Sequence, residues 1–212
     1  MQTWLGIDIG IRNLSCCKLE HENGEWKITS WQLYDLLDFT DNQFTSCNDL
    51  HTIDVHTLAD YMLPKIFPAE KVTQTINHVC IEQQPHGKYG NQKLVLLSHL
   101  IYQHFRRLWY TTFFGSTLWS VRFVSPNSKY CQKWLTKYGY HKEKLYGGRK
   151  RLSVDLLKSL FDDYRIQNLT DTVPETTKKA DDFADSFLLA FYTAITAPLL
   201  SIGSQCYFEL VR

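Results

Sequence analysis

The 212-residue sequence contains no run of about 18 apolar residues, the length that a membrane-spanning helix needs. Strand-forming residues begin by position 4, which leaves no room for the charged leader and apolar core of a signal peptide. Glycine and proline are scarce, at 10 and 6 residues, whereas 14% of the residues are aromatic, the opposite of a disordered composition. We therefore expect a soluble, intracellular protein with no membrane partner and one folded domain over residues 1–212.

The six cysteines show neither the paired C-x-x-C spacing of a zinc site nor the density of a secreted, disulfide-bonded scaffold. We expect them to be reduced thiols. The net charge is +1, from 23 Lys and Arg against 22 Asp and Glu, so the chain as a whole has no attraction for polyanions. Any binding of nucleic acid must arise from local charge.

Hydrophobic patterning predicts an α/β protein. Three strands are expected at about 4–9, 13–20 and 25–33, with a turn at Glu22-Asn23-Gly24 between the second and third. The predicted elements that follow are a helix over 51–67 before Pro68, a strand over 75–83, a helix over 91–109 buried on two sides, a strand over 118–124, helices over 129–138, 152–164 and 180–196, and a basic loop over 139–150. This order predicts a mixed five-stranded sheet, an antiparallel meander plus parallel strands, with helices on both faces.

Acidic residues occur in two of these otherwise apolar strands. Asp8 lies within Gly6-Ile7-Asp8-Ile9-Gly10, and Glu82 ends His78-Val79-Cys80-Ile81-Glu82 before a Pro-Gly loop. A buried carboxylate is unfavourable unless a cation or a hydrogen-bond donor meets it, and the glycines allow backbone or ligand to approach closely. We therefore expect a partner for Asp8, although each acid alone is also compatible with an ordinary strand-end carboxylate.

A third acidic group opens the last predicted helix, in Lys179-Ala180-Asp181-Asp182-Phe183-Ala184-Asp185-Ser186. At about 100° per residue its three carboxylates crowd one side of the helix. The helix dipole explains acids in a first turn, but Asp185 lies further in, beside core residues, so the cluster needs a compensating charge. Carboxylates suit Mg²⁺ or Mn²⁺, and two such ions can activate a water and stabilise the leaving oxygen in phosphodiester cleavage.

The segment over 122–151 is strongly basic, with nine Lys or Arg against the single acid Glu143 and with interleaved aromatic residues. Such a segment either contacts nucleic-acid phosphates and bases or forms a solvated basic face. The DNA-binding residues that it predicts are Lys129, Lys133, Lys142, Lys144, Arg149, Lys150 and Arg151.

Together these motifs resemble the RuvC-like Holliday junction resolvases of poxviruses, other large cytoplasmic DNA viruses and fungal mitochondria. The resemblance is carried, in order along the chain, by Gly6-Ile7-Asp8-Ile9-Gly10 with Arg12-Asn13, Ile81-Glu82-Gln83-Gln84-Pro85, Ser125-Pro126-x-Ser128, Arg149-Lys150-Arg151-x-Ser153 and Lys179-Ala180-Asp181-Asp182-x-x-Asp185-Ser186. It implies an RNase H-like fold, a homodimer, and Mg²⁺-dependent symmetric nicking of four-way DNA junctions in recombination, with two ions per active site, Mn²⁺ as a substitute and no small-molecule substrate.

The resemblance also assigns roles to residues. By position, Asp8, Glu82, Asp182 and Asp185 match the catalytic acids that bind the metal, and Lys150 matches a basic residue near the site. Asp181 precedes the terminal pair, so pairing of Asp181 with Asp185 stays open. The helix over 91–109 is our candidate dimer interface. The expected location is the host cytoplasm for a viral enzyme and the mitochondrion for an organellar one.

Two alternatives stay open at the level of sequence. One is a different nuclease of the RNase H fold, acting on RNA:DNA hybrids or on a single strand. The other is an inactive DNA-binding module that keeps only the basic face. The enzyme hypothesis depends on one spatial requirement, that the side chains at positions 8, 82 and 185 meet in one pocket.

Overall fold

The computed structural model of the protein describes residues 1–39, 54–86, 90–111, 120–141, 146–171 and 179–200. Its elements are β1 (Gln2–Asp8), β2 (Leu14–Glu22), β3 (Glu25–Tyr34), α1 (Val55–Ile66), α2 (Ala69–Thr75), β4 (His78–Glu82), α3 (Gln92–Thr111), β5 (Ser120–Val124), α4 (Gln132–Tyr138), α5 (Tyr146–Tyr164), β6 (Gln167–Asn168) and α6 (Ala180–Leu200), with 3-10 turns at Leu36–Phe39 and Pro126–Tyr130. Within these ranges no helix has the length and apolar character required to cross a membrane.

The strands form one mixed sheet in the order β5-β4-β1-β2-β3-β6. The predicted meander is confirmed, because β1, β2 and β3 pair antiparallel, and the tight β2–β3 turn uses positive φ at Asn23 and Gly24. β4 and β5 then add parallel to β1, as expected. The predicted number of strands was wrong by one, because β6 pairs parallel with β3 through only two residues. Two residues are too short for an alternating pattern to be visible in the sequence.

Helices cover both faces of this sheet, as predicted. On one face, α1 and α3 pack over Leu5, Ile7 and the neighbouring strands, and on the other α5 and α6 pack over Trp4 and Trp31. α3 is buried along one side only, since Leu96 and Tyr110 are exposed, so the expectation that it is buried on two sides was wrong.

The helix predicted over 129–138 begins only at Gln132, after the 3-10 turn, and two further helix bounds differ more from the prediction. Pro68 ends the first predicted helix but also precedes a second helix, α2, because proline fits just before a first turn. α5 begins at Tyr146, so Arg149 and Lys150 lie on a helix and not in the predicted basic loop over 139–150, and Arg151 is helical too. The polar first turn of α5, with its glycines, has no apolar periodicity from which a helix could be predicted.

The thiols of Cys16, Cys17, Cys80 and Cys131 are free, as expected, and the other two cysteines lie outside the described residues.

A glycine in β1 allows α6 to lie against the sheet. A Cβ placed on Gly6 would stand 2.1 Å from the backbone oxygen of Ser186, a distance that no side chain tolerates. The Ser186 hydroxyl lies 2.8 Å from the hydroxyl of Ser15 on β2, and the Trp31 indole N–H on β3 donates to the Phe183 carbonyl at 3.0 Å. These contacts fix the height and rotation of α6, and they place Asp185 at the end of β1.

Candidate active site

The first two acids of the site emerge side by side from neighbouring parallel strands. Ile7 of β1 pairs with Ile81 of β4, so the next residues, Asp8 and Glu82, stand at the same level where both strands end. Successive side chains alternate between the two faces, and Ile7 and Ile81 point into the α1–α3 core. Asp8 and Glu82 therefore point to the opposite face, toward α6.

A buried lysine lies at the centre of the acids. Lys129, from the 3-10 turn after β5, is only 4% exposed. Its ammonium nitrogen lies 2.7 Å from Oδ2 of Asp185, 2.8 Å from Oε1 of Glu82 and 3.3 Å from Oδ1 of Asp8. Carboxylates that are 177 positions apart in the chain therefore converge on one point, as the enzyme hypothesis requires.

The titration of these groups is strongly perturbed. Burial raises the pKa of Asp8 well above its usual range; Lys129 opposes this shift, and the nearby Glu82 and Asp185 add to it. Burial also acts to raise the pKa of Glu82, but Lys129 and the hydrogen bonds from Asp8, Lys129 and Gln84 outweigh it, and the pKa is lowered. For Lys129, burial acts to lower the pKa, and the three carboxylates reverse this and raise it well above its usual range. Lys129 is therefore charged, and of the two strand-end acids Asp8 holds a proton more readily.

The acids line a cavity of about 450 Å³ that also receives side chains from α5 and from the first turn of α6. Lys150 on α5 forms an ion pair with Asp181. Asp182 differs, because its Oδ2 atom is buried and has no hydrogen-bond partner among the described residues. Burial, followed by the neighbouring Asp181, raises the pKa of Asp182. An orphaned carboxylate oxygen of this kind is what a cation or a proton would satisfy.

Neutral side chains hold two of the acids in place. The Gln84 amide donates to Oε2 of Glu82 at 3.1 Å. The Ser153 hydroxyl on α5 donates to Oδ1 of Asp185 at 2.6 Å, and it lies 2.7 Å from the hydroxyl of Tyr130. Burial, then the charge of Asp185, raises the pKa of Tyr130 to about 12, so its phenol stays protonated. Both acids are thus oriented by groups that carry no charge.

The predicted basic residues occupy different environments. Lys133 on α4 and Arg149 and Arg151 on α5 are exposed, whereas Lys142 and Lys144 lie outside the described residues. Lys129, whose contact with DNA stays a prediction, lies buried among the carboxylates. Sequence reasoning missed this because it treated Lys129 as one of nine basic residues. The available signal was its place in the turn that directly follows β5, the neighbour of the strand that ends in Glu82.

The donor chemistry of the site fits a divalent cation. Carboxylate oxygens are the ligands that Mg²⁺ and Mn²⁺ prefer, and the buried Oδ2 of Asp182 lacks a partner within the described ranges. As the side chains stand, however, no group of three or more His, Cys, Asp or Glu in the described part of the chain is spaced to hold an ion. The three carboxylates surround the ammonium of Lys129 at 2.7–3.3 Å, which are hydrogen-bond distances. A Mg²⁺ ion would need its oxygen ligands at roughly 2.1 Å.

A family model described as the poxvirus A22 protein matches residues 3–197, nearly the whole described chain. The chain belongs to this family. The matched span contains every motif on which the resemblance to the poxvirus-type RuvC-like resolvases was drawn, and that resemblance is confirmed. A search of curated proteins gave no match to this poxvirus A22 family member.

Solved structures confirm the fold of this poxvirus A22 family member. The yeast mitochondrial Holliday junction resolvase is 18% identical, with a TM-score of 0.63 over 95% of this chain and 86% of that one. RuvC of Thermus thermophilus is 13% identical, with a TM-score of 0.55 over 93% and 96% of the two chains. The fowlpox virus Holliday junction resolvase is 16% identical, with a TM-score of 0.52 over 93% and 99%. The predicted RNase H-like α/β class is therefore correct.

Proposed function

We propose that this protein is a divalent-metal-dependent endonuclease that resolves four-way DNA junctions by paired, symmetric nicks. The observation that carries the proposal is the convergence of Asp8, Glu82 and Asp185 on one buried point beside an open cavity. Concentrating like charges in this way is costly for a fold and useful for binding cations. Membership of the poxvirus A22 family and the RuvC-like fold support the choice of substrate.

The metal ligands in this proposal are Asp8, Glu82, Asp182 and Asp185. Of the two adjacent acids on α6, Asp181 already has Lys150 as its counter-ion, whereas Asp182 has a buried oxygen without a partner among the described residues. This difference supports Asp182 as the ligand. Two Mg²⁺ ions, for which Mn²⁺ would substitute, supply activation of the attacking water and stabilisation of the departing 3′ oxygen.

The chain's own cations complete the chemistry. Lys129 neutralises the acids before substrate arrives, and its ammonium is placed to contact a non-bridging oxygen of the scissile phosphate once the acids have other partners. Lys150 lines the same cavity and can exchange Asp181 for a phosphate oxygen. The exposed residues Lys133, Arg149 and Arg151 provide phosphate contacts outside the cavity, which position the strand without reading its sequence.

A homodimer is part of the proposal, because two nicks related by a two-fold axis require two active sites related in the same way. α3 is the proposed interface. Its buried side faces the core, while Leu96 and Tyr110 are exposed, at 36% and 59%, on the remainder of the helix. Membership of a poxvirus family supports the host cytoplasm as the compartment.

The test is nicking of a synthetic four-way junction and of a matched linear duplex, with and without Mg²⁺. We expect paired, symmetric nicks in the junction only when Mg²⁺ is present. Asp8→Asn should reduce nicking by at least about 10³-fold, since several kcal/mol of transition-state stabilisation pass through the metal site. Junction affinity should stay within about two-fold of the wild type, since Asp8 makes no phosphate contact in this proposal.

The outcomes separate the alternatives. Cleavage of an RNA:DNA hybrid in preference to the junction would favour another RNase H-fold nuclease. Junction binding without any cleavage, together with no binding of Mn²⁺, would favour an inactive DNA-binding module. Mixing wild-type protein with Asp8→Asn protein reports on the dimer, because mixed dimers should leave single nicks in the junction.

A further inference from the structure

A buried hydroxyl on α5 holds one of the carboxylates of the site. Ser153 is completely buried, and its Oγ donates to Oδ1 of Asp185 at 2.6 Å. The same Oγ lies 2.7 Å from the phenol oxygen of Tyr130, on the 3-10 turn that also carries Lys129. Three separate elements, α5, α6 and the turn, therefore meet in one hydrogen-bonded chain.

The available donors and acceptors determine the direction of these hydrogen bonds. The Ser153 hydroxyl has one proton and three possible acceptors: Oδ1 of Asp185 at 2.6 Å, the Tyr130 phenol oxygen at 2.7 Å and the Arg149 carbonyl at 3.2 Å. The carboxylate oxygen is the closest and the strongest acceptor of the three, so it takes the proton. The Tyr130 phenol then donates to the lone pair left on Ser153, and it reaches the Arg149 carbonyl only at 3.3 Å. The resulting order is Tyr130 to Ser153 to Asp185, and each bond polarises the next.

The two oxygens of Asp185 are thereby given different tasks. Oδ1 accepts from Ser153, a side chain that cannot move without disturbing the core, while Oδ2 lies 2.7 Å from the ammonium of Lys129, the point on which the three acids converge. By contrast, no hydrogen bond from a described residue restrains the buried Oδ2 of Asp182. Of the two α6 acids in the proposed ligand set, Asp185 is therefore the one whose carboxylate is held by a hydrogen bond from another helix.

We infer that Ser153, and through it Tyr130, are positioning residues that restrict Asp185 to presenting one carboxylate oxygen, Oδ2, to a divalent cation. This inference rests on the metal site of the proposed function and extends it to side chains that touch neither metal nor substrate. A ligand held in its binding orientation loses less conformational freedom when the cation arrives, which is why hydrogen bonds to metal ligands raise affinity.

The experiment measures the affinity of the full-length chain for Mn²⁺ by isothermal titration calorimetry in the absence of DNA. We expect Ser153→Ala to weaken Mn²⁺ binding by about 10- to 100-fold, and Tyr130→Phe by roughly three-fold, because Tyr130 acts only by polarising Ser153. The double variant should match Ser153→Ala alone, since Tyr130 has no route to Asp185 once the serine hydroxyl is gone. Ser98→Ala is the matched control, because Ser98 is also buried and donates at 2.6 Å, but to the Val95 carbonyl within α3.

A kinetic readout separates positioning from a general loss of structure. In Ser153→Ala the Mg²⁺ concentration for half-maximal nicking should rise, while the rate at saturating Mg²⁺ recovers to within a few-fold of wild type. Mn²⁺ affinity in Ser153→Ala equal to that of wild type and Ser98→Ala would overturn the inference, as would additive effects in the double variant. Should Ser153→Ala fail to fold, unchanged affinity in Tyr130→Phe overturns it by itself. Absence of Mn²⁺ binding in the wild type would instead contradict the proposed function.

Discussion

The strands β1 and β4 begin in an aromatic cluster and end in an acidic pocket, so the two ends of the same strand pair are stabilised in different ways. At the beginning, the Trp4 and His78 rings stack with centroids 5.4 Å apart, and Trp26 stacks on His21 at 4.2 Å. At the end, Asp8 and Glu82 converge with a third carboxylate on one ammonium. The aromatic end stabilises the fold through buried area, whereas the acidic end carries repulsion that the fold must compensate.

The two ends differ in where their polar groups find partners. The aromatic end finds its partners within the sheet, where Ser120 on the adjacent strand supplies a hydroxyl 2.8 Å from Nδ1 of His78. The acidic end obtains its cation from a turn outside the sheet, and that cation is a single side chain, Lys129. A single substitution should therefore destabilise the acidic end more than the aromatic end. A cation bound from solution should restore part of the stability that is lost at the acidic end.

The largest expected effect on stability comes from Lys129→Met, which removes the charge and keeps most of the side-chain volume. Without the ammonium the carboxylates are left buried and uncompensated, so we expect a loss of about 3–5 kcal/mol in the free energy of unfolding at pH 8 without metal. For a chain of this size that loss lowers the melting temperature by roughly 10 °C. Differential scanning calorimetry with EDTA measures it.

The same variant tests whether the acids bind a cation. Saturating Mn²⁺ should stabilise Lys129→Met more than the wild type, because it replaces the charge that was removed. Lys133→Met is the control, since Lys133 is exposed on α4 and should change stability by less than about 0.5 kcal/mol. If Mn²⁺ stabilises Lys129→Met and the wild type equally, Lys129 and the metal do not interact with the same acids.

A smaller effect is expected from Gly6→Ala, halfway between the two ends. The new methyl group would meet the Ser186 carbonyl and push α6 away from β1, at a cost of about 1–3 kcal/mol. Because α6 carries Asp185, nicking should fall further than the loss of stability accounts for. Leu58→Ala is the control, since Leu58 is buried in the core on the other face of the sheet and its loss should destabilise without reducing nicking by the folded protein. Equal nicking by both variants at matched folded fractions would contradict this reading.

Much of this arrangement could be predicted from the sequence. Apolar runs ending in an acid predicted β1 and β4, and the parallel pairing of these strands brings Asp8 and Glu82 together, which the requirement of one shared pocket demanded without naming the pairing. The start of α5 could not be predicted, because its polar, glycine-containing first turn shows no periodicity. Nor could the position of Lys129, because a basic residue next to other basic residues is read as surface, and its burial depends on acids far away in the chain.

The smallest expected effect belongs to the aromatic end and concerns pH. Burial, with a contribution from Arg122, lowers the pKa of His78 to about 4, below its value of about 6.5 in an unfolded chain. The unfolded state therefore takes up a proton on this residue first as the pH falls, and the free energy of unfolding should decrease between about pH 6.5 and pH 4. Since the ring is only half-buried, we expect the free energy of unfolding to decrease by about 1 kcal/mol between pH 7 and pH 5.

Urea unfolding of wild type and His78→Phe at both pH values isolates the contribution of His78, because the contributions of all other groups cancel in the difference. If the two proteins lose the same stability on acidification, His78 is not held neutral by the fold, and the aromatic end is less insulated from charge than its packing indicates.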